Sequence, residues 1–169
     1  MNTISIVPLT EKFAISHEAH LNLLRSLIPD VTPHPENLLK LSDANRVYHA
    51  KWRHSFVALD GDKPVGILIA YERNIDKHYP NPTLYIAEIA IEESYRNHKI
   101  GSELIQKVIY QAKQHEFYEL LGIKTLSVQT NNEEKNRNVQ AFYEKFGFVQ
   151  IGMKSYDNRT DRIYSLKID

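Results

Sequence analysis

The sequence predicts an α+β fold, in which a mixed and largely antiparallel sheet of about six or seven strands is layered between about four helices. Several short runs alternate apolar and polar residues, as strands do, while other segments repeat apolar residues at helical spacing. Two strand-like runs are joined by Asp60-Gly61-Asp62-Lys63, and Asp-Gly between apolar runs is a strong hairpin signal. No repeat or linker divides the 169 residues, so we expect a single domain over residues 1–169.

Caps and breakers set the predicted bounds. Thr10 is a typical N-cap for the first helix, and prolines follow that helix. Gly147 is placed to end the last helix. Two polar, proline-containing segments, 29–35 and 74–82, are expected to be loops, and the second is expected to be exposed. The predicted strands are residues 2–9, 55–59, 65–73, 83–91, 124–130, 148–152 and 162–168, and the predicted helices are residues 11–28, 37–51, 100–114 and 133–146.

Composition excludes several classes of function. Lys plus Arg and Asp plus Glu both number 21, so no basic excess favours nucleic acid as a partner. There is no cysteine, which excludes disulfides and a thiolate nucleophile. The N-terminus does not resemble a signal peptide, and no apolar run approaches the ~20 residues that span a bilayer. We therefore expect a cytoplasmic protein, a monomer or homodimer, with no membrane partner.

The stretch that links the strand at 83–91 to the helix at 100–114 predicts an anion site. The first turn of a helix has backbone N–H groups without internal partners, and its dipole favours negative charge. This turn is not a nucleotide-hydrolase phosphate loop, because no Gly-Lys-Ser/Thr ends it. It has only Gly101 where a dinucleotide fingerprint needs three glycines. Taken alone, it is equally consistent with an ordinary connection that has a solvated basic face.

A second motif supports the interpretation of this turn as an anion site. Residues 136–148, with the sequence NRNVQAFYEKFGF, resemble the "N…A…YEK.GF" helix of the GNAT superfamily of acetyl-CoA-dependent N-acetyltransferases. The turn from Arg96 to Gly101 resembles the same family's acetyl-CoA motif, Arg/Gln-x-x-Gly-x-Gly/Ala. Both motifs stand in the family's order, and the succession of elements also matches. The resemblance implies a GNAT-like fold.

The resemblance also implies a cosubstrate, acetyl-CoA, and a set of residues that bind it. Ile89 and Ile91 would lie on the strand that hydrogen-bonds the pantetheine arm. The turn would wrap the pyrophosphate, mainly with backbone N–H groups, and Asn136 would lie near the pantetheine. The implied cofactor-binding residues are Ile89, Ile91, Arg96, Asn97, His98, Lys99, Ile100, Gly101, Ser102 and Asn136.

This sequence departs from the family's pattern at two positions. Lys99 stands where the family usually has its first glycine, which allows a close backbone approach or a positive φ. If Lys99 keeps an ordinary negative φ, the backbone amides of the turn still point inward and the Lys99 ammonium could contact phosphate. If Lys99 does not keep a negative φ, we expect weaker CoA binding. Val139 replaces a small alanine. The connection before Asn136 is also long, so Asn131 or Asn138 could take its role.

Two residues are predicted to be catalytic. The resemblance places Tyr143 beside the thioester sulfur, where a phenol with an ordinary pKa of about 10 is suited to protonate the leaving thiolate. Its position beside Phe142 and Phe146 is equally that of a core residue. Glu88 points to the face opposite Ile89 and could remove the amine proton, bind a cationic amine, or only form a salt bridge.

The acceptor is the part that the sequence defines least. Tyr48, His49, Trp52 and His54 could line an acceptor pocket, although aromatic residues at helical spacing are more often core. His17 and His20 lack a third ligand, so we expect no metal. The sequence thus predicts an acyltransferase, for acyl groups other than amino-acyl ones, that moves acetyl from acetyl-CoA to a primary amine of a small molecule or a protein. The alternative is a non-catalytic acyl-CoA sensor or partner-binding module.

Overall fold

The computed structural model describes residues 3–28, 54–114, 119 and 122–168. In these residues seven strands form one sheet, in the order β1-β2-β3-β4-β5-β7-β6. The strands are β1 (Ile4–Pro8), β2 (Phe56–Asp60), β3 (Lys63–Arg73), β4 (Thr83–Ile91), β5 (Thr125–Asn131), β6 (Val149–Ser155) and β7 (Thr160–Lys167). The α-helices of this part of the chain are α1 (Glu11–Ser16), α2 (Glu18–Arg25), α3 (Ile100–Gln114) and α4 (Arg137–Glu144). The predicted α+β fold is confirmed.

Helices cover both faces of the sheet. One buried cluster joins α3 and α4 to the sheet through residues such as Leu104, Val108 and Tyr143. The other joins α1 and α2 to the opposite face through Ala14 and Leu21. Residues of β3 alternate between the two clusters, because successive side chains of a strand point to opposite faces. The sheet is therefore the middle of three layers.

The predicted hairpin is confirmed. Asp60 pairs with Lys63 across a two-residue turn, and Gly61 takes the positive φ of 60° that such a turn requires. The helix predicted at 100–114 is also confirmed, with the same bounds. The helix predicted at 37–51 and the loop at 29–35 lie outside the described residues.

The middle of the sheet opens. β4 pairs with β3 along its full length, from Thr83 to Ile91. Its pairing with β5 is the one parallel pairing among the described strands, and it covers only residues 84–86 against 126–128. Ala87 is the extra residue of a bulge, since Ile86 and Glu88 oppose adjacent residues of β3. Beyond Ile86, the two central strands are no longer hydrogen-bonded to each other.

The single helix predicted from Glu11 to about Ile28 is wrong, because the segment forms two helices that meet at His17. The Thr10 cap is confirmed, since its hydroxyl accepts from the Phe13 N–H at 3.2 Å. The Ser16 hydroxyl and His17 Nδ1 both approach the Phe13 carbonyl oxygen, at 3.0 and 3.1 Å. Side chains that bond nearby backbone groups compete with a continuing helix, which explains the break.

Two further predictions need correction. The last predicted helix, 133–146, begins as a 3-10 turn at Glu134–Asn136, and only Arg137–Glu144 is α-helical. Gly147 follows with a φ of 87°, as expected for its stop. The loop at 74–82 is not wholly exposed, because Tyr79 is 1% exposed and stacks against Arg73. In the described part of the chain, no helix is long and apolar enough to cross a membrane.

Candidate active site

The opening between β4 and β5 leads into a cavity of about 820 Å³. The sheet divides its lining into two sides. The α3 side carries the turn before α3, the start of that helix and the inward face of α4; its lining includes residues 96, 97 and 99–102 together with Thr130, Asn136, Phe142 and Tyr143. The α2 side carries the residues that face α1 and α2 or follow α2; it is lined by Leu27, Ile28, Glu88, Gln129, Asn131, Arg159 and Asp161.

The turn on the α3 side has the shape expected of an anion site. After a short 3-10 turn at Glu93–Tyr95, Asn97 and Lys99 both adopt left-handed conformations, with φ of 67° and 64°. The first helical bond before α3 runs from the Glu103 N–H to the Lys99 carbonyl at 3.0 Å. The N–H groups that precede Glu103 in the first turn thus have no carbonyl one turn earlier to bond, and they can bind an anion.

Lys99 therefore does not keep the ordinary negative φ that was one of its two expected states. Its chain takes the conformation that glycine would adopt freely, at a cost of about 1–2 kcal/mol for a residue with a side chain. Weaker CoA binding stays a prediction. Gly101 leaves space at the start of α3, since a Cβ there would lie 3.7 Å from Phe142 and 3.9 Å from Ile89, both ordinary contacts.

Tyr143 lies in the wall of the cavity and is only 2% exposed. Its ring packs edge-to-face against Phe142 and Phe148, with centroids 5.3 and 5.6 Å away. Burial raises the pKa of its hydroxyl well above the ordinary value, because ionisation would place a charge in an apolar environment. The hydroxyl therefore stays protonated over the working range of most enzymes. Tyr143 lies both in the hydrophobic core and in the cavity wall, so its interpretation as a core residue is compatible with its interpretation as a catalytic acid.

On the α3 side of the cavity wall, two buried polar atoms have no hydrogen-bond partner among the described residues. They are Oγ1 of Thr130 and Nδ2 of Asn136. Buried polar atoms are nearly always paired, so an orphan pair beside a cavity indicates that a ligand supplies the partners. An amide group fits, because its carbonyl can accept from Asn136 and its N–H can donate to Thr130. The residues of the α3 side thus fit a ligand with a phosphate end and an amide-bearing arm.

The remaining candidate residues near the binding motifs lie in the cavity wall or beside it. Asn131 and Asn138 also line the cavity, and the Asn131 Oδ1 accepts from the Glu133 N–H at 3.0 Å. Val139 lines the cavity and is 42% exposed. His98 is not a lining residue; its ring Nδ1 lies 2.9 Å from the Arg96 carbonyl oxygen.

Glu88 lies on the α2 side, opposite Ile89 as predicted, and it is held by Arg25. The guanidinium donates from Nε to Oε2 at 2.5 Å and from Nη2 to Oε1 at 2.8 Å. Arg25 is 1% exposed and also donates to Asn22 at 2.7 Å. Both carboxylate oxygens of Glu88 are thus engaged, and a role as base would require this ion pair to open.

A second carboxylate of the α2 side was missed by the sequence analysis. Asp161 is 2% exposed and lies opposite Asn131 in the β5–β7 pairing. Its Oδ2 accepts from Arg159 Nη2 at 3.1 Å. Arg25 was missed as well, although it follows Leu21 by four positions on the buried stripe of α2, and a charge on such a stripe predicts an ion pair.

The proposed acceptor cluster is only partly described. His54 is fully buried, and its Nε2 lies 2.9 Å from Glu72 Oε1, away from the cavity lining. Tyr48, His49 and Trp52 lie outside the described residues. Within the ranges that the structure describes, no group of three or more His, Asp or Glu residues is arranged to hold a metal ion.

Comparisons with known proteins agree with this fold. Residues 21–148 match the model of the acetyltransferase (GNAT) family. Among solved structures, Arabidopsis thaliana NAA60 in complex with acetyl-CoA is similar to the chain with a TM-score of 0.74 and 14% identity, over 98% of this chain and 100% of that one. The NatC complex bound to Gag peptide and CoA is similar with a TM-score of 0.72 and 18% identity, over 100% of both chains. The Escherichia coli ribosomal-protein-S18-alanine N-acetyltransferase is similar with a TM-score of 0.66 and 16% identity, over 98% of this chain and 94% of that one.

Proposed function

The chain belongs to the acetyltransferase (GNAT) family, and from that premise we propose that it transfers an acetyl group from acetyl-CoA to a primary amine. The observation that carries the proposal is the opened strand pair, which joins an anion-binding turn and a buried tyrosine in one cavity. Bound acetyl-CoA would supply a thioester carbon for the amine to attack. The acceptor's amine nitrogen would approach from the α2 side.

The α3 side would hold the cosubstrate. Backbone N–H groups of residues 97–102 would bind the pyrophosphate, helped by the positive end of the α3 dipole. Asn136 and Thr130 would hydrogen-bond an amide of the pantetheine arm, which supports Asn136 over Asn131 and Asn138 for that role because its Nδ2 lacks another partner among the described residues. His98 would contribute through its backbone, because its side chain does not face the cavity.

The exposed edge of β4 would orient the reacting group. Residues 87–91 have no bonds to β5, so the backbone groups on that edge are available to a ligand. An N–H near Ile89 would stabilise negative charge that develops on the carbonyl oxygen. The apolar side chains of Ile89 and Phe142 would exclude water from this point, which strengthens such a hydrogen bond.

Tyr143 would hold the proton that the departing sulfur needs. As the C–S bond breaks, the tyrosine hydroxyl would protonate the sulfur and regain a proton from the amine through solvent. Burial raises the pKa of this hydroxyl above the ordinary value that the sequence led us to expect, so the proton is present at neutral pH but is held more tightly, and its transfer requires negative charge on the departing sulfur. Glu88 stays a candidate base only if its ion pair with Arg25 opens; an amine that enters uncharged needs no base.

A thermal melt with acetyl-CoA tests binding. At a ligand concentration of about 100 times Kd, the expected stabilisation is about 2.7 kcal/mol, and ADP at the same concentration is the control for phosphate binding alone. No shift at millimolar acetyl-CoA would contradict the proposal. Release of CoA on addition of an amine then tests turnover.

The second candidate function is an acyl-CoA sensor that binds without turnover. The observation behind it is Lys99, which stands in a left-handed conformation where the family usually has a glycine. A clear acetyl-CoA shift without CoA release across a broad amine panel would support the sensor over the enzyme.

A further inference from the structure

The carboxylates on the α2 side of the cavity are both balanced by arginines. Glu88 accepts two hydrogen bonds from Arg25, at 2.5 and 2.8 Å. Asp161 accepts one from Arg159 at 3.1 Å. The two acids are the only acidic lining residues in the described part of the chain, so the described wall of this side has no surplus negative charge.

The rest of the described wall on this side is uncharged. Leu27 and Ile28 are aliphatic, and Gln129 and Asn131 carry neutral amides.

This charge balance limits what can bind. A polyamine brings several ammonium groups, and each one that leaves water needs a carboxylate not already paired. A monoamine brings one charge and loses it when it deprotonates, as it must before its nitrogen can attack. An apolar environment favours that neutral form. An apolar group next to the amine can also pack against Leu27 and Ile28.

We propose that the acceptor is a monoamine with an apolar group beside its nitrogen, and that Arg25 and Arg159 exclude polyamines by neutralising Glu88 and Asp161. The inference rests on the proposed acetyltransferase function and names its substrate class. The same chemistry occurs in a free alkylamine and at the N-terminus of a peptide that begins with a large apolar residue.

Arg159 provides the decisive variant. Its side chain is 28% exposed and stacks 5.1 Å from the Tyr156 ring, so a change there is compatible with folding, unlike a change at the buried Arg25. Arg159→Gln removes the positive charge that is hydrogen-bonded to Asp161 Oδ2. Arg159→Lys is one control, because it keeps a positive charge beside Asp161. Lys107→Gln is the other, because it removes one positive charge from the exposed face of α3, far from this wall.

The experiment compares kcat/KM for CoA release with isoamylamine, a short peptide with an N-terminal leucine and no other charged side chain, and spermidine. The wild type should prefer one of the first two over spermidine by tenfold or more. Whichever of them is better identifies the source of the amine. Arg159→Gln should lower that preference at least fivefold, by raising kcat/KM for spermidine, while both control variants keep it.

A wild type that prefers spermidine would overturn the inference, as would an unchanged preference in Arg159→Gln with an unaltered Tm and acetyl-CoA shift. A wild type that releases no CoA with any amine would instead remove the proposed transfer itself, and the inference with it. The two failures are therefore distinguishable.

Discussion

Ile86 and Val128 are the last directly opposed residues of β4 and β5, and beyond them the two strands separate. Both side chains belong to the buried cluster beneath α3. Packing therefore holds the strands together up to this point, while the following residues of β4 remain bonded only to β3. A fixed pair next to an open edge lets a ligand bind to the backbone without unfolding the sheet.

Lys99→Gly should stabilise the protein. Glycine removes the penalty of about 1–2 kcal/mol that a residue with a side chain incurs in the left-handed conformation. The greater freedom of glycine in the unfolded chain opposes this gain by about 0.5–1 kcal/mol. The net gain should raise the Tm by a few degrees, and acetyl-CoA should bind at least as tightly. Lys99→Ala is the matched control, because it removes the ammonium but keeps the strain. A tenfold loss of affinity in both variants would show that the ammonium contacts phosphate.

Tyr143→Phe should lower kcat by about 10²- to 10⁴-fold, the usual contribution of a positioned acid. The acetyl-CoA thermal shift should be preserved, since the ring and its aromatic contacts remain. Tyr164→Phe is a suitable control, because Tyr164 is also buried but its hydroxyl bonds Glu144 at 3.1 Å and does not line the cavity. Full activity in Tyr143→Phe would reduce this residue to a core position.

The extent to which the sequence predicted this molecule depends on the range of the interactions concerned. The helix at 100–114 and the turn at Gly61 are set by local spacing and backbone preference, and both are confirmed. The break at His17 depends on two side chains that compete for one carbonyl, which a periodic pattern does not reveal. The pair of Arg25 and Glu88 joins positions 63 apart, so only the folded chain brings them together.

Stability should fall at alkaline pH because of buried tyrosines. Burial raises the pKa of Tyr79 to about 12, and that of Tyr143 further. Between pH 10 and about 12 the unfolded chain releases a proton that the folded chain keeps, so the free energy of unfolding falls as pH rises, by at most about 1.4 kcal/mol per pH unit for each tyrosine. Urea unfolding at pH 8, 10 and 11 measures the slope.

Tyr79→Phe checks the assignment. It should be less stable than the wild type at pH 8, since it loses the hydrogen bond from Gln129 at 2.6 Å, but its stability should decline less steeply above pH 10. Equal slopes in the two proteins would exclude Tyr79 as a source of the effect.

Glu88→Gln separates a base from an ion-pair partner. If Glu88 stays paired with Arg25 during turnover in the wild type, the kcat/KM of the variant should change less than tenfold and its pH profile should keep its shape. Loss of the acidic limb together with a fall of 10²-fold or more would establish Glu88 as the base. The amine used should be the best acceptor of the wild type.

The same pair predicts a non-additive stability cycle. Arg25→Met leaves Glu88 without its guanidinium partner and should cost about 3–5 kcal/mol, whereas Arg25→Met with Glu88→Leu should recover most of that loss. Lys63→Met breaks a more exposed pair, with Glu92, and should change the urea midpoint less. Additive effects of the two single substitutions would contradict a direct coupling.

Thr130→Val should have opposite effects on the free and the bound protein. Its hydroxyl is buried without a partner among the described residues, so removing it should stabilise the free protein by about 1 kcal/mol. If the hydroxyl accepts from the pantetheine arm, the same change should weaken acetyl-CoA binding about fivefold, or about 1 kcal/mol. Thr125→Val is the control on the same strand. It loses an existing hydrogen bond to Thr83 at 3.1 Å, so stability should fall while affinity is unchanged. A Thr130→Val protein with a raised Tm and unaltered acetyl-CoA affinity would show that the orphan hydroxyl is not part of the binding site.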